Sequence, residues 1–118
     1  MNLILSTRTE SKHIRFEVDG RWQYGDALKL AYLLKSAQGR ASIDRFLIDL
    51  RRVTSEPESQ ERFMLCDRLL RVFRAPVRVA LVGDAALIDS VTAVTVADDA
   101  PSIALFAREG EAMKWLMA

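Results

Sequence analysis

The chain has 118 residues, half of them hydrophobic, which is the usual size of a single domain that buries its own core. Its 17 basic and 16 acidic residues leave a net charge of +1, which argues against nucleic acid or an anionic membrane as the partner. Cys66 is the only cysteine, so no intramolecular disulfide can form, and a free thiol suits a reducing cytosol. The sequence has neither a secretory signal nor an apolar run near the ~20 residues of a membrane span, so we expect a cytoplasmic protein without membrane insertion.

The first two elements are predicted to be strands that pair as a hairpin. Leu3–Thr7 alternates loosely between apolar and polar residues, and His13–Val18 alternates strictly, which is typical of a half-buried strand. Asp19 and Gly20 have turn chemistry and are expected to end the second strand. The apolar face of this strand carries Ile14, Phe16 and Val18, and the polar face carries His13, Arg15 and Glu17.

A helix and a buried strand are predicted next. Apolar residues recur at helical spacing through Asp26–Ala37, where Asp26 suits the start of a helix and Gly39 suits its end. Phe46–Leu50 is a compact apolar run that contains Asp49. We expect this run to be a central strand covered on both faces.

The segment after this strand is predicted to open a second helix. Ser55 and Glu58 have the spacing of a capping box, with Pro57 in the first turn. Met64 falls on the charged side of this helix, which we expect to face solvent. The expected buried stripe consists of Phe63, Cys66, Leu70 and Phe73, flanked by Leu69.

The rest of the chain continues the alternation of strands and helices. Val77–Val82 and Ile103–Phe106 are predicted strands, and Gly110–Met117 is a predicted final helix. Leu87–Val96 fits a helix by its spacing or a strand by its β-branched residues, and a crossover helix agrees better with the elements on both sides. The order β-β-α-β-α-β-α-β-α indicates one α/β domain over residues 1–118, a mostly parallel sheet with an antiparallel N-terminal hairpin edge and covering helices.

The candidate binding surface consists of the loops at the carboxyl ends of the parallel strands, because open α/β sheets meet their ligands there. These loops are Arg51–Ser55, Gly83–Asp84 and Ala107–Gly110. Two of these loops lead into helix N-termini, whose free amides and partial positive charge favour an anion. The alternative is that Ser55 and Asp84 are ordinary helix caps and that the arginines are solvated. The residues of this surface are Arg51, Arg52, Thr54, Ser55, Gly83, Asp84 and Arg108.

Catalytic and metal-binding signatures are missing from the sequence. His13 is the only histidine, and neither Cys66 nor any serine has an evident partner for nucleophilic catalysis. No dinucleotide-binding or P-loop glycine motif occurs, and one cysteine with one histidine cannot form a typical zinc site. We therefore expect a protein that is not an enzyme and that holds no cofactor and no metal.

Three large side chains lie where exposure would be unusual for a monomer. Trp22 and Tyr24 belong to the link after the second strand, and Met64 lies on the charged side of the second helix. Exposed aromatic residues and methionines are enriched at interfaces, and the hairpin edge needs covering. We expect a homodimer; the alternative is that neighbouring loops cover each of these side chains.

Three segments resemble a known bacterial family. The run from Asp44 to Val53, DRFLIDLRRV, resembles the strand before the regulatory loop in STAS domains, the domains of anti-sigma-factor antagonists. The runs Arg78–Asp84, RVALVGD, and Leu105–Leu116, LFAREGEAMKWL, resemble the SpoIIAA-like branch of that superfamily. The resemblance extends from His13 to the end of the chain, and the order of elements agrees with it.

The resemblance implies a regulatory protein-interaction module whose partner is another protein. In the phosphorylatable antagonists the loop carries an Asp-Ser-Ser/Thr-Gly motif, whereas the loop here reads TSEPES from Thr54 and lacks both the Asp-Ser pair and the glycine. Ser55 is the nearest match to the phosphorylated serine, and the chain looks more like the branch without the switch. The alternative is a small-molecule binder, with an anion at the helix N-termini or, because that branch is similar in fold to lipid-binding Sec14-type domains, an apolar ligand between helix and sheet.

Overall fold

The computed structural model describes residues 3–40, 43–55, 58–72, 77–83 and 103–118, apart from the side chains of Cys66, Leu70 and Val72. The predicted helix at Leu87–Val96 and the candidate surface residue Asp84 lie outside the described residues. Within the described ranges the chain forms one five-stranded sheet and three helices.

The strands are β1 Leu3–Thr9, β2 Ile14–Gly20, β3 Arg45–Val53, β4 Arg78–Val82 and β5 Ile103–Phe106, and the helices are α1 Asp26–Gly39, α2 Ser59–Val72 and α3 Glu109–Met117. The strands lie side by side in chain order. β1 and β2 form the predicted antiparallel hairpin at one edge, and β2 to β5 are parallel to one another. The predicted α/β architecture is confirmed.

The two faces of the sheet carry separate apolar clusters. On one face α1 and α2 cover the sheet, and the rings of Phe16 and Phe46 stack there with centroids 5.9 Å apart. On the other face Ala112 and Leu116 of α3 pack against Leu47 and its neighbours on β4. Because successive side chains of a strand point to opposite faces, β3 contributes to both clusters, as expected of a central strand.

β3 is longer than predicted and contains an irregularity. Glu17 pairs with Asp49 and Asp19 pairs with Arg52, so β3 has one more residue than β2 between these two pairs. This extra residue is a β-bulge, which bends the strand locally and redirects its side chains. The strand continues to Val53, so the loop predicted at Arg51–Ser55 is mostly strand.

α2 starts later than predicted. The capping box is not formed: the helix begins at Ser59, and the Glu58 carbonyl accepts a hydrogen bond from the Arg62 amide at 2.9 Å. Ser55 is therefore too far from the first turn to cap it. Its hydroxyl bonds instead to the segment before α1, a long-range contact that the local spacing of Ser55 and Glu58 could not indicate.

The buried side of α2 agrees with the prediction in part. Among its described side chains Leu69 is buried as expected, Leu65 is buried as well, and Phe63, expected inside, is 60% exposed. Glu61 is also buried, because its carboxylate accepts hydrogen bonds from the segment that opens α1. The predicted stripe left Glu61 outside because it was built from apolar residues alone; the side chains of Cys66, Leu70 and Phe73 lie outside the described residues.

Candidate functional site

A cluster of charged side chains joins β2, β3 and the start of α3; it consists of Arg15, Asp49, Arg51 and Glu109, and we call it the charge cluster. Asp49 Oδ2 accepts hydrogen bonds from Arg15 Nη2 and from Arg51 Nη2, each at 2.9 Å. Asp49 Oδ1 accepts a third from Arg51 Nε at 2.9 Å. Glu109 Oε1 lies 2.6 Å from Arg15 Nη1 and 3.1 Å from Arg51 Nη2. The two guanidinium groups and the two carboxylates therefore neutralise one another.

Arg15 and Asp49 are charged although they are buried. Burial acts to raise the pKa of Asp49, but hydrogen bonds from the side chain and amide of Arg51, with the charges of both arginines, hold it below its usual value. Burial acts to lower the pKa of Arg15, but hydrogen bonds to Glu17 and Glu109 hold it above its usual value. The hydrogen bond to Asp49 raises the pKa of Arg51. These groups keep their charges at neutral pH.

The β-bulge of β3 holds the charge cluster in place. The Arg51 amide donates to Asp49 Oδ1 at 3.0 Å, so the carboxylate satisfies a backbone donor of the irregular segment and binds the side chain of the same residue. Arg52, the next residue, is exposed, and its Nη1 lies 3.5 Å from Glu17 Oε2. The charge cluster therefore lies on the interior strands β2 and β3 beside the start of α3, while Arg52 remains at the surface.

The beginning of the β3–α2 loop is bound to the link between β2 and α1. Thr54 donates from its amide and its hydroxyl to the Gly20 carbonyl, at 2.8 and 3.2 Å. Ser55 Oγ accepts from the Trp22 amide at 2.8 Å and donates to the Trp22 carbonyl at 3.1 Å. Gly20 has a φ of 126°, which favours glycine at this position. Ser55 thus joins two neighbouring loops at the carboxyl edge of the sheet.

Trp22 is buried, which is the alternative in which neighbouring segments cover this side chain. Its Nε1 donates to Glu61 Oε1 at 3.1 Å. The same oxygen accepts from the amides of Gly25 at 3.0 Å and of Ala27 at 3.3 Å. Amides at the start of a helix have no partner within the helix, and here a carboxylate from α2 provides one. We call Trp22, Glu61 and these two amides the Glu61 lock.

The other two candidate interface side chains differ in outcome. Met64 is half-buried and packs against the cluster beneath α1 and α2, although its side of α2 was expected to face solvent. Tyr24 is 83% exposed. Of the three residues offered as an interface, Tyr24 alone presents most of its surface.

The strand-end residues are brought to one edge, but several already have partners. Arg51 is bound by Asp49 and Glu109, and the Gly83 amide donates to the Phe106 carbonyl at 3.0 Å. An anion at this edge would meet an Arg51 guanidinium that Asp49 and Glu109 already neutralise. The exposed members of the predicted surface in the described ranges are Arg51, Arg52, Thr54 and Arg108, and Ser55 is half-buried.

A second surface lies on the outside of α1, where sequence analysis singled out only Tyr24. Leu28 and Tyr32 are 44% and 70% exposed on α1, and Tyr24, just before the helix, is 83% exposed. The interval of four residues places Leu28 and Tyr32 on one side of the helix. The signal that could have found them is in the sequence: large apolar residues at helical spacing on the face opposite the predicted buried stripe.

Comparisons with known proteins identify the fold. No family model matches the sequence, and no curated protein matches it. The structure is similar to an anti-sigma factor antagonist from Mycobacterium paratuberculosis, with a TM-score of 0.69 and 15% identity over 98% of this chain and 95% of that one. It is also similar to an uncharacterised DUF3478-family protein with a SpoIIAA-like fold from Shewanella loihica PV-4, with a TM-score of 0.57 and 18% identity over 98% and 94% of the two chains. This chain has a SpoIIAA-like fold.

The SpoIIAA-like fold confirms the architecture that the resemblance of three short segments implied. In the described ranges, no helix is both long and apolar enough to cross a membrane. Across the same residues, no three histidine, cysteine, aspartate or glutamate side chains are grouped so as to hold a metal ion. In the described residues, the site at the carboxyl ends of the strands therefore consists of the charge cluster and the exposed side chains beside it.

Proposed function

We propose that the chain is a non-catalytic module of bacterial regulation that binds another protein, as anti-sigma-factor antagonists do. The observation that carries the proposal is the likeness to an anti-sigma factor antagonist over 98% of this chain. The binding surface that we propose consists of the exposed strand-end residues Arg52, Thr54 and Arg108, with Phe63 of α2. Phe63 is a large apolar side chain that is 60% exposed, and aromatic residues are enriched at protein interfaces.

The chemistry of the charge cluster supports binding over catalysis. A general acid or base works best when its pKa lies near the operating pH. Asp49 has a lowered pKa and Arg15 a raised one, so neither exchanges a proton near neutrality. The paired charges hold β2, β3 and the start of α3 together. The exposed side chains nearby remain able to contact a partner. The absence of an enzymatic activity stays part of the proposal.

Quantitative affinity capture from the host cell tests this proposal, with the purified chain as bait. Arg52→Glu and Phe63→Glu alter the proposed surface, and Lys12→Glu makes a matched charge change in the exposed β1–β2 turn, at the opposite end of β2. We expect one specific protein to be retained by the parent and by Lys12→Glu and to be lost from the two surface variants. Equal retention by all four baits would contradict the proposed surface.

Native mass spectrometry of chain purified from its own host distinguishes the alternative, a small-molecule binder. An apolar ligand between helix and sheet has less support, because Leu34, Phe16 and Phe46 at that interface are fully buried against one another. We expect the mass of one or two copies of the polypeptide, alone or with a bound protein. A non-covalent adduct of constant small mass, retained through purification, would favour the alternative and overturn the proposed role.

A further inference from the structure

The outer face of α1 presents large side chains to solvent, although α1 and α2 pack together. Leu28 and Tyr32 form a row one turn apart on α1 and are 44% and 70% exposed, and Tyr24, just before the helix, is 83% exposed. Isolated exposed apolar residues are normal on a protein surface, whereas neighbouring ones mark a site of interaction. Tyr24 follows Trp22, which binds Ser55, by two residues, so this part of the surface begins beside the strand-end edge.

A groove accompanies this row. Between α1 and α2 there is an open cavity of about 330 Å³, bounded on the α1 side by Leu28, Ala31 and Tyr32 and on the α2 side by Arg68 and Arg71. A second depression, of about 460 Å³, continues over Leu28 and Tyr32 to the far side of α1. We call the two together the α1 groove. Leu28 and Tyr32 line both parts, so a rod-shaped partner lying in the groove would contact the same apolar side chains along its length.

Among the described residues, the charged side chains that line the α1 groove are all basic. Lys35, Arg68 and Arg71 border the first cavity, and Lys29 borders the second. Arg71 is paired with Asp67 at 3.2 Å. Lys29, Lys35 and Arg68 make no ion pair with the described part of the chain, and no acidic residue of that part borders either cavity. An occupant that supplies negative charge beside its apolar contacts would therefore complement these side chains.

We propose that the α1 groove binds an acidic amphipathic helix of a partner protein. Helices bind grooves of this kind by laying an apolar stripe along the floor, while their polar face meets the rim. Here Leu28 and Tyr32 form the floor and the lysines and arginines form the rim. Potentials of opposite sign across an interface steer association and set the register of the partner. A second copy of this chain does not meet the requirement, because a two-fold axis through the groove would bring basic rim against basic rim.

The inference rests on the proposed function in one respect, that the occupant of the groove is a protein. It adds the acidic, amphipathic character of that protein and a binding surface separate from the strand-end residues. The experiment therefore uses a designed probe and not a natural partner. The probe is a synthetic peptide of about 18 residues, five helical turns, with leucines at helical spacing and glutamates elsewhere. The matched peptide keeps the leucines and replaces each glutamate with lysine. Failure of the glutamate peptide would leave the capture experiment at the strand-end surface unaffected.

Binding is followed by amide chemical shifts of the labelled chain. We expect saturable shifts at Leu28, Tyr32, Lys35 and Arg68 with the glutamate peptide, none with the lysine peptide, and weaker binding at higher salt. Lys35→Glu and Arg68→Glu should each weaken binding by about tenfold, since like charges are brought together, whereas Lys12→Glu should not. The comparison of the two peptides and the salt series both use the parent chain, so they test the proposal even if a variant fails to fold.

Several outcomes would overturn the proposal. Equal binding of the two peptides would remove the role of charge, and shifts centred on Arg52 or Phe63 would move the site to the strand-end surface. Phosphatidylserine vesicles that bind the chain, when the glutamate peptide does not, would make the α1 groove a membrane surface. Tyr32→Ala should abolish peptide binding and Tyr32→Phe should preserve it, because the ring and not the hydroxyl forms the floor of the groove; equal binding by both would exclude Tyr32 from the site.

Discussion

Asp49 is a buried carboxylate that accepts hydrogen bonds from two guanidinium groups and one amide. Asp49→Asn keeps the size of the side chain and removes its charge, which leaves Arg15 buried with less compensation. We expect a loss of about 3 kcal/mol of stability, since breaking a buried ion pair from one side is costly. Urea denaturation measures it. Asp19→Asn, at an exposed position of β2, is the control and should change stability little.

Asp49 also makes stability depend on pH in a defined direction. Its pKa is lower in the folded chain than the ordinary value of 3.8, so the unfolded chain binds a proton more readily. The stabilisation is complete well above pH 3.8 and is lost as the pH falls towards the folded-state pKa. We expect the acid limb of an unfolding titration to be shallower for Asp49→Asn than for the parent. Identical limbs would show that Asp49 isn't held ionised by the fold.

Ser55 acts as a donor and an acceptor at once, and this decides which substitutions it tolerates. Ser55→Ala loses both bonds to Trp22 and should cost about 2 kcal/mol. Ser55→Asp cannot donate to the Trp22 carbonyl and places a negative charge beside it, so it should cost at least as much. Ser55→Thr keeps the hydroxyl and is the control. A fully stable Ser55→Asp variant would show that the bond from the Ser55 hydroxyl to the Trp22 carbonyl contributes nothing to stability. Modification of Ser55 remains a prediction, and it would require the hydroxyl to leave Trp22.

At the scale of elements, the Glu61 lock connects the start of α1 to α2. Glu61→Gln keeps an oxygen acceptor for Trp22 Nε1 and the two amides, whereas Glu61→Met keeps the length of the side chain and removes the acceptor. We expect Glu61→Met to be clearly less stable than Glu61→Gln, because three buried donors lose their partner. In a Trp115→Phe background, Trp22 is the only tryptophan, and its emission should shift to the red in Glu61→Met. Equal stability and equal emission of the two variants would contradict the lock.

Elements whose pattern is local were predictable from the sequence. The strict alternation of β2 and the helical spacing in α1 both gave the buried face correctly, because these patterns follow from the geometry of one element. On α2, Phe63 is exposed and Glu61 is buried, contrary to the predicted stripe, because Glu61 binds donors 34 to 39 residues away. The burial of Trp22 follows from the same contacts. Pairings at such separation leave no periodic trace in the sequence.

The location of the candidate surface was predictable from the sequence, but the partners of its side chains were not. The rule that ligands meet the carboxyl ends of parallel strands brought Arg51, Arg52 and Ser55 to one edge before the structure was known. The sequence could not indicate that Arg51 is bound by Asp49 and Glu109, since Glu109 lies 58 residues away from it. It also could not reveal the bulge that leaves Arg52 exposed beside it.

For the whole molecule, β1 is the edge of the sheet, and we expect the chain to dimerise there. Its backbone groups on the outer side pair with no described strand, and Ile4 is 66% exposed on it. Exposed edges of this kind pair readily with a second copy. Light scattering should give the mass of a dimer for the parent and for Ile4→Val, and the mass of a monomer for Ile4→Lys. A monomer for the parent at high micromolar concentration would contradict the prediction.

The Glu61 lock has a consequence for hydrogen exchange. Amides in the first turn of a helix normally exchange fast with deuterium, since no carbonyl of the helix accepts from them. The amides of Gly25 and Ala27 are instead bound by a carboxylate of another helix, so their protons can leave only when α1 and α2 separate. The exchange rate of these two amides therefore reports how often α1 and α2 separate. A helix seated in the α1 groove would span both elements and slow the exchange of two amides that it never touches.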